Sequence, residues 1–154
     1  MTSPLVEFQD YLENILIPIR LSCTTESGWP VGLSLWYLYE DGKLYCATQR
    51  SAKVAGYLEN NPRCAYEIAS DLPPYCGVRG PARAHIDDQI GFEILERLLV
   101  RYVGGLDNSL AKGLLAKSDT EVALVLDPVR VFSWNFTPRM QDALPVHQEP
   151  KGCP

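Results

Sequence analysis

Residues 31–53 read VGLSLWYLYEDGKLYCATQRSAK, which is two apolar and aromatic runs joined by Asp41-Gly42 and followed by a polar cluster. Asp-Gly between two such runs is the strongest short-range signal for a β-hairpin, because both residues tolerate a positive φ. Tyr, Trp, Val and Leu side chains suit a half-buried pleated surface. The stretch therefore predicts a strand over 31–40, a tight turn, and a returning strand over 43–48.

Further strands are predicted on both sides of this hairpin by alternating or apolar runs that end at turn residues. They cover residues 19–25, 63–69, 76–86, 121–127 and 129–136. Strands 19–25, 31–40 and 43–48 are expected to form an antiparallel meander. Gly80-Pro81 interrupts strand 76–86 and predicts a bulge or a sheet edge, because proline cannot donate to a ladder.

Helices are predicted where apolar residues recur at three- and four-residue steps. These segments are 3–17, with Ser3 as N-cap, then 51–60, with Ser51 as N-cap, 88–103 and 107–117. Seven strands with few helices favour a mainly β, mostly antiparallel split β-barrel with flanking helices over a doubly wound sheet. We expect one domain over residues 1–139, including the N-terminal helix, and a flexible polar tail over 140–154.

Composition excludes several classes of function. The chain has 154 residues, 46% hydrophobic and 21% charged, with a net charge of −5. Its cations occur singly, so no basic stripe for nucleic acid exists. The sequence shows no signal peptide and no apolar run that could span a membrane, so we expect a cytoplasmic protein.

The five cysteines form no C-x-x-C pair, and no metal site is expected. Cys23, Cys46 and Cys64 lie in apolar strand-like runs. They are interpreted as buried, reduced thiols.

The polar cluster over 48–53 lies where a strand ends and a helix begins. The first amides of a helix attract anions, and the helix dipole adds partial positive charge. Thr48 and Ser51 offer hydroxyls, and Arg50 and Lys53 offer charge, so the cluster suits one phosphate. An ordinary serine cap beside two solvated cations fits the same residues, and both interpretations stay open.

No standard catalytic or nucleotide-binding motif accompanies this cluster. G-x-G-x-x-G, G-x-x-x-x-G-K-[ST] and G-x-S-x-G are all missing from the sequence. The two histidines, His85 and His147, belong to no credible Ser/His/Asp set. Any chemistry is therefore expected to come from a cofactor.

The order of short motifs between Ile19 and Ala84 resembles the pyridoxamine 5'-phosphate oxidase-like family of FMN-binding split barrels. The motifs that carry the resemblance are RLSCTT at 20–25, GWP at 28–30, LSLW at 33–36, LYCAT at 44–48, SAK at 51–53, LENNPR at 58–63 and CGVRGPA at 76–82. Residues 129–139 are similar to the closing strand of the family, so the resemblance covers roughly residues 17–139.

This resemblance implies an FMN-binding oxidoreductase that acts on a small organic substrate. It also implies a homodimer with the cofactor at the subunit interface, with no role for nucleic acid or membranes. The expected cofactor contacts are Arg20, Leu33, Ser34, Leu35, Trp36, Cys46, Ala47, Thr48, Arg50, Ser51, Lys53 and Tyr75. Lys53 is expected at the phosphate. The aromatic residues Trp36, Tyr37 and Tyr39 are expected to form an exposed patch at the dimer interface.

Departures from the oxidases leave alternatives open. Ala52, Leu33 and Leu38 stand where the oxidases have cations. Of the substrate-binding C-terminal segment of the oxidases, only Trp134 and Arg139 have counterparts in this chain. Vitamin B6 oxidation is therefore not expected. A deazaflavin-dependent reductase and a non-catalytic flavin-binding or sensor dimer are the alternatives. Haem binding, for which His85 and His147 are the only imidazoles, ranks last.

Overall fold

One antiparallel sheet curls into a half-barrel in the computed structural model, which describes residues 3–143 and 152–154. In the described chain the strands are β1 (Ile19–Thr24), β2 (Pro30–Leu35), β3 (Leu38–Glu40), β4 (Lys43–Gln49), β5 (Arg63–Ala69), β6 (Cys76–Asp87), β7 (Glu121–Pro128) and β8 (Phe132–Asn135). Their order is β2-β1-β5-β6-β7-β4-β3, and β8 pairs with β6. The predicted fold class, a mostly antiparallel split barrel, is confirmed.

The strand predicted over 31–40 is two strands. β2 pairs with β1 at one end of the sheet path, and β3 pairs with β4 at the other. The predicted meander is therefore wrong, because Trp36 and Tyr37 carry the chain from one sheet edge to the other. The Tyr37 side chain is wholly buried at this crossing, and its hydroxyl donates to the Leu12 carbonyl at 2.9 Å. The Asp41-Gly42 turn is as predicted, with φ of 49° and 78°.

Helices flank the barrel and differ from the sequence prediction mainly where they begin. They are α1 (Gln9–Asn14), which follows a 3-10 turn at Val6–Phe8, α2 (Lys53–Asn60), α3 (Gly91–Val103), α4 (Ser109–Leu115) and α5 (Thr137–Met140). Ser3 does not cap α1, and its hydroxyl donates to the Gly42 carbonyl at 2.6 Å. Ser51 does not cap α2 either, because the N-cap is Ala52, which offers no polar side chain.

Strand β7 lies between two hydrophobic clusters, one inside the barrel and one beneath α3. Leu124 and Leu126 point into the barrel, whereas Ala123 and Val125 pack under Ile94 and Leu98 of α3. Alternation along a strand sends successive side chains to opposite faces, so β7 is buried on both. Cys23, Cys46 and Cys64 are free and buried inside the barrel, as predicted.

Pro81 lies inside the sheet, not at its edge. β7 pairs with residues 82–87 of β6 and β8 pairs with residues 76–79, so Pro81 falls between the two partners. No ladder bond on that side needs its missing N–H. The Arg130 carbonyl passes so close that a Cβ on Gly80 would lie 2.0 Å from its oxygen. Glycine is therefore required beside the proline.

A disulfide joins Cys76, the first residue of β6, to Cys153. Sequence spacing did not reveal this pair, because 77 positions separate the two residues. Such bonds are uncommon in the cytosol, so this one does not support the expected compartment. The tail predicted from residue 140 lies largely outside the described residues, as does His147. None of the helices in the described chain has the length and apolar character that crossing a bilayer requires.

Candidate functional site

A cavity of about 360 Å³ opens where the ends of β2 and β4 approach each other. We call it the β2/β4 cavity, and it is lined by Pro18, Ser34, Leu35, Trp36, Ala47, Thr48, Gln49, Leu95, Leu98, Leu114 and Glu121. Five of the twelve cofactor contacts expected from the sequence lie together here, namely Ser34, Leu35, Trp36, Ala47 and Thr48. The curl of the sheet brings them together, because β2 and β4 share no ladder.

One wall of this cavity is apolar and held in place by packing. Leu95 and Leu98 come from α3 and Leu114 from α4. The Trp36 ring stacks on Tyr102 of α3, with centroids 5.2 Å apart and an interplanar angle of 9°. The Tyr102 hydroxyl donates to the Ile17 carbonyl at 3.3 Å, which anchors the stack to the chain entering β1. This wall suits a flat, apolar ring.

Gln49 and Glu121 of the same lining belong to a hydrogen-bond network that the sequence analysis missed. Gln49 and Glu121 are register partners on β4 and β7, and the Gln49 amide donates to the Glu121 carboxylate. The same amide donates to the Lys117 carbonyl at 3.0 Å and accepts from the Thr120 hydroxyl at 2.6 Å. Burial raises the pKa of the Glu121 carboxyl, against the opposing effect of the Gln49 hydrogen bond. The sequence pattern identifies Glu121 only as the first residue of a predicted strand.

The two cations of the polar cluster at the start of α2 differ in whether they form ion pairs. The Arg50 guanidinium is paired with Glu59 and lies 3.1 Å from Asp88. Ser51 and Lys53 are exposed, and Lys53 forms no ion pair with any residue the structure describes. Arg50 is therefore committed to structural pairs, and Lys53 is the cation of the cluster that remains available to a ligand.

Arg20 and Leu33 lie on a second surface. Together with Ser34 they line a cavity of about 680 Å³ over the face of β1, β2, β5 and β6. Arg20 is held there by Asp71 and donates to the Ala69 carbonyl at 3.3 Å. Ser34 lines both cavities, so the two surfaces meet at β2.

Cys46 and Tyr75 line neither of these cavities. The Cys46 side chain is wholly buried in the barrel, where burial raises the pKa of its thiol, so only its backbone is left for a cofactor. Tyr75 is exposed in the loop before β6. His85, on β6, is half exposed, and its Nδ1 lies 3.7 Å from Asp127 outside both cavities.

The expected aromatic patch is not exposed in the single chain. Tyr37 is wholly buried, and Trp36 and Tyr39 are partly buried against core clusters. The reason is the crossing between sheet edges, which turns this segment inward. Among the described residues the most exposed aromatic side chain is Trp29, at 74%.

Comparisons with solved structures identify the architecture. A conserved hypothetical protein from Mycobacterium tuberculosis superposes with a TM-score of 0.72 at 20% identity, covering 93% of this chain and 89% of that one. A structure named F420 reductase gives 0.69 at 18% identity, with coverages of 80% and 94%. A putative pyridoxamine 5'-phosphate oxidase from Listeria innocua gives 0.63 at 16% identity, with coverages of 82% and 94%.

The fold is the pyridoxamine 5'-phosphate oxidase-like split barrel. No family model matches the sequence, and neither does any curated protein. At these identities the likeness of the split barrel to its neighbours shows the fold alone. A haem storage protein from Vibrio cholerae shares it as well, with a TM-score of 0.63 at 15% identity. The fold therefore does not select a cofactor, and the residues of the site must be considered on their own.

Proposed function

We propose that this chain binds a flavin-type cofactor, FMN, and transfers hydride or electrons to a small organic substrate as a homodimer. The observation that carries the proposal is the meeting of Ser34, Leu35, Trp36, Ala47 and Thr48 in one cavity. These residues come from two segments of the chain that the sequence resemblance assigned to cofactor contact, residues 33–36 to the ring. Chain order alone does not require them to share a cavity.

The walls of the β2/β4 cavity fit a flavin ring chemically. A stacked indole and three leucines offer apolar contact to its faces, while Ser34, Thr48 and Gln49 offer polar groups to its edge. Binding sites for such ligands are mostly apolar with a few placed polar groups. A bound flavin supplies the hydride chemistry, and these side chains hold and orient the ring.

The phosphate of FMN is assigned to the beginning of α2. Gln49 lines the cavity and Lys53 opens the helix four residues later, so the ring and phosphate positions are continuous along the chain. The N-cap residue Ala52 has no side-chain acceptor for the first amides of the helix, so these amides are left for a ligand. Lys53 adds a positive charge at the same end of the helix. Amides and charge at a helix N-terminus together favour phosphate.

One of the missing cations of the oxidases, at Leu38, has a structural reason in this chain. Leu38 is buried beneath α3, beside Ile94 and Leu98, where an unpaired cation would be costly. We therefore infer that this protein binds the phosphate group of FMN more weakly than the oxidases do. A larger share of its affinity for FMN would then come from contacts with the ring.

Titration of the purified protein with FMN, followed by flavin fluorescence and visible absorbance, tests the proposal. We expect saturable micromolar binding, together with a shift of the flavin absorbance bands as the ring enters an apolar site. A parallel titration uses NAD(P)H and a chemical acceptor to look for turnover. Absence of binding by any flavin, with the protein shown to be folded by circular dichroism, rejects the proposal.

A deazaflavin coenzyme is the second candidate, because the F420 reductase superposes over 94% of its own length. The same titration with a deazaflavin decides between the two, since the tighter ligand identifies the cofactor. Binding without reduction by NAD(P)H or any partner reductase would favour the non-catalytic carrier or sensor. Haem is disfavoured because His85, the sole histidine among residues 3–143 and 152–154, lies outside both cavities.

A further inference from the structure

Glu121 is the one ionisable side chain among the described residues that line the β2/β4 cavity. The remaining wall consists of apolar side chains, the hydroxyls of Ser34 and Thr48 and the amide of Gln49. The guanidinium of Arg50, the residue after Gln49, is bound to Glu59 and Asp88. The carboxyl group therefore determines the electrostatic character of the cavity.

The position of this carboxyl group is held from several directions. The Lys117 carbonyl can only accept a hydrogen bond, so the NH₂ of Gln49 must face it and the amide cannot be flipped. With the amide oriented in this way, its other N–H is directed to Oε2 of Glu121. The Thr120 hydroxyl binds the amide oxygen and completes the arrangement.

The backbone of Glu121 is fixed as well. Gly91, the first residue of α3, approaches so closely that a Cβ there would lie 2.2 Å from the Glu121 carbonyl oxygen. Residue 121 is therefore locked between β4 and the beginning of α3. The described residues that line the cavity include no cation, and only Oε2 of Glu121 has a hydrogen-bond partner among the described residues. The other carboxylate oxygen is therefore available to a ligand.

We propose that Glu121 is a ligand-selecting residue that accepts a hydrogen bond from a ring N–H of the bound molecule. Gln49 is its positioning residue. The pair selects planar heterocycles that present N–H donors at this wall, and it disfavours rings that are alkylated or anionic there. This proposal rests on the proposed function, because it assigns an edge contact to the ring that the β2/β4 cavity is inferred to hold.

The chemical logic is that of an unpaired acceptor in a half-buried site. A ligand N–H that meets the carboxyl group forms a charge-assisted hydrogen bond, which is stronger than a neutral one. A methyl group at the same place leaves the carboxyl group desolvated without a partner. Discrimination therefore arises both from the contact made and from the penalty when it is lost.

The test uses two probes that lack phosphate and so are independent of Lys53. Lumichrome is a planar tricycle with ring N–H donors, and 1,3-dimethyllumichrome is the same ring system with those nitrogens methylated. We expect the wild-type protein to bind lumichrome about tenfold more tightly, as one charge-assisted hydrogen bond implies. Fluorescence titration measures both affinities.

Variants assign the discrimination to the residue. Glu121→Met removes the acceptor at similar size and is expected to bind the two probes equally. Glu121→Gln keeps an acceptor oxygen and is expected to retain part of the preference, and it serves as the second variant if the first does not fold. Glu7→Met, at an exposed carboxylate on the N-terminal 3-10 turn, is the matched control and is expected to behave as wild type.

The possible outcomes distinguish failure of the selecting role of Glu121 from failure of flavin binding itself. Equal wild-type affinity for both probes overturns the selecting role of Glu121 and leaves flavin binding intact. A tenfold preference that persists in Glu121→Met assigns the selection to another residue and also overturns it. Failure of the wild-type protein to bind lumichrome, 1,3-dimethyllumichrome and FMN rejects the proposed function together with this inference.

Discussion

The indole of Trp36 stacks on the phenol of Tyr102, with ring centroids 5.2 Å apart. Trp36 lies where the chain leaves β2, and Tyr102 lies near the end of α3, so the stack joins the barrel to its covering helix. The same indole forms part of the β2/β4 cavity. One aromatic pair thus supports the fold and the candidate site at once.

Replacing this indole tests its role in binding the ring. We expect Trp36→Leu to weaken riboflavin binding about tenfold, because an aromatic contact contributes about 0.5–1.5 kcal/mol beyond the buried area that is also lost. Trp29→Leu, at a side chain that is 74% exposed in the turn before β2, is the matched control. Equal losses in the two variants would contradict a direct contact.

The phosphate assignment predicts a difference between two flavins. Lys53→Met is expected to weaken FMN binding about tenfold while leaving riboflavin, which lacks the phosphate, nearly unchanged, because one charge-assisted hydrogen bond is lost. Lys112→Met, on the exposed side of α4, serves as the control. If both flavins lose affinity equally in Lys53→Met, the phosphate lies elsewhere.

The cysteines predict a thiol count. The unfolded, unreduced protein should react with three equivalents of a thiol reagent, from Cys23, Cys46 and Cys64, and with five after reduction. The native protein should react slowly, since these thiols are buried and burial raises the pKa of Cys64 to about 12. If the unfolded protein reacted with five equivalents before any reductant is added, Cys76 and Cys153 would not be joined.

The burial of β7 predicts that truncating a side chain in this strand lowers the free energy of unfolding far more than truncating an exposed side chain just after it. Leu124 has no exposed surface and packs inside the barrel, so Leu124→Ala is expected to lower the free energy of unfolding by about 2–5 kcal/mol. Val129→Ala, at a side chain that is 61% exposed just after β7, is expected to change it by less than about 0.5 kcal/mol. Urea unfolding followed by circular dichroism measures both, and similar losses would contradict this assignment of the core.

Glu121 predicts a pH dependence of stability. Its pKa is raised in the folded protein by burial, so its contribution is full below the unfolded value and is lost as the pH rises through the folded value. Glu121→Gln cannot ionise, so its stability relative to wild type should increase from about pH 4.5 upward and then level off. Unfolding curves from pH 4 to pH 8 measure this, and a constant difference would argue against the raised pKa.

Local sequence signals were sufficient for most of the strands, the hairpin turn and the class of fold. Asp41-Gly42 adopts the two positive φ angles that its residue types predict, and the free thiols lie in the apolar runs that suggested burial. These features depend on neighbours within a few positions, where side-chain type and spacing act directly. The candidate cofactor residues of β2 and β4 were predicted in a different way, from the resemblance of short ordered motifs to the pyridoxamine 5'-phosphate oxidase-like family.

Long-range placement was decided by the tertiary structure. The break at Trp36 and Tyr37 sends β2 and β3 to opposite ends of the sheet path, and no periodicity in a continuous apolar run marks such a break. Gln49 meets Glu121, and Cys76 meets Cys153, across separations of 72 and 77 positions. The sequence by itself determined most of the strand segments, though not the break at Trp36 and Tyr37, and which residues are polar or apolar. Only the closing of the sheet determined which of them meet, because contacts between distant segments depend on how the whole chain packs.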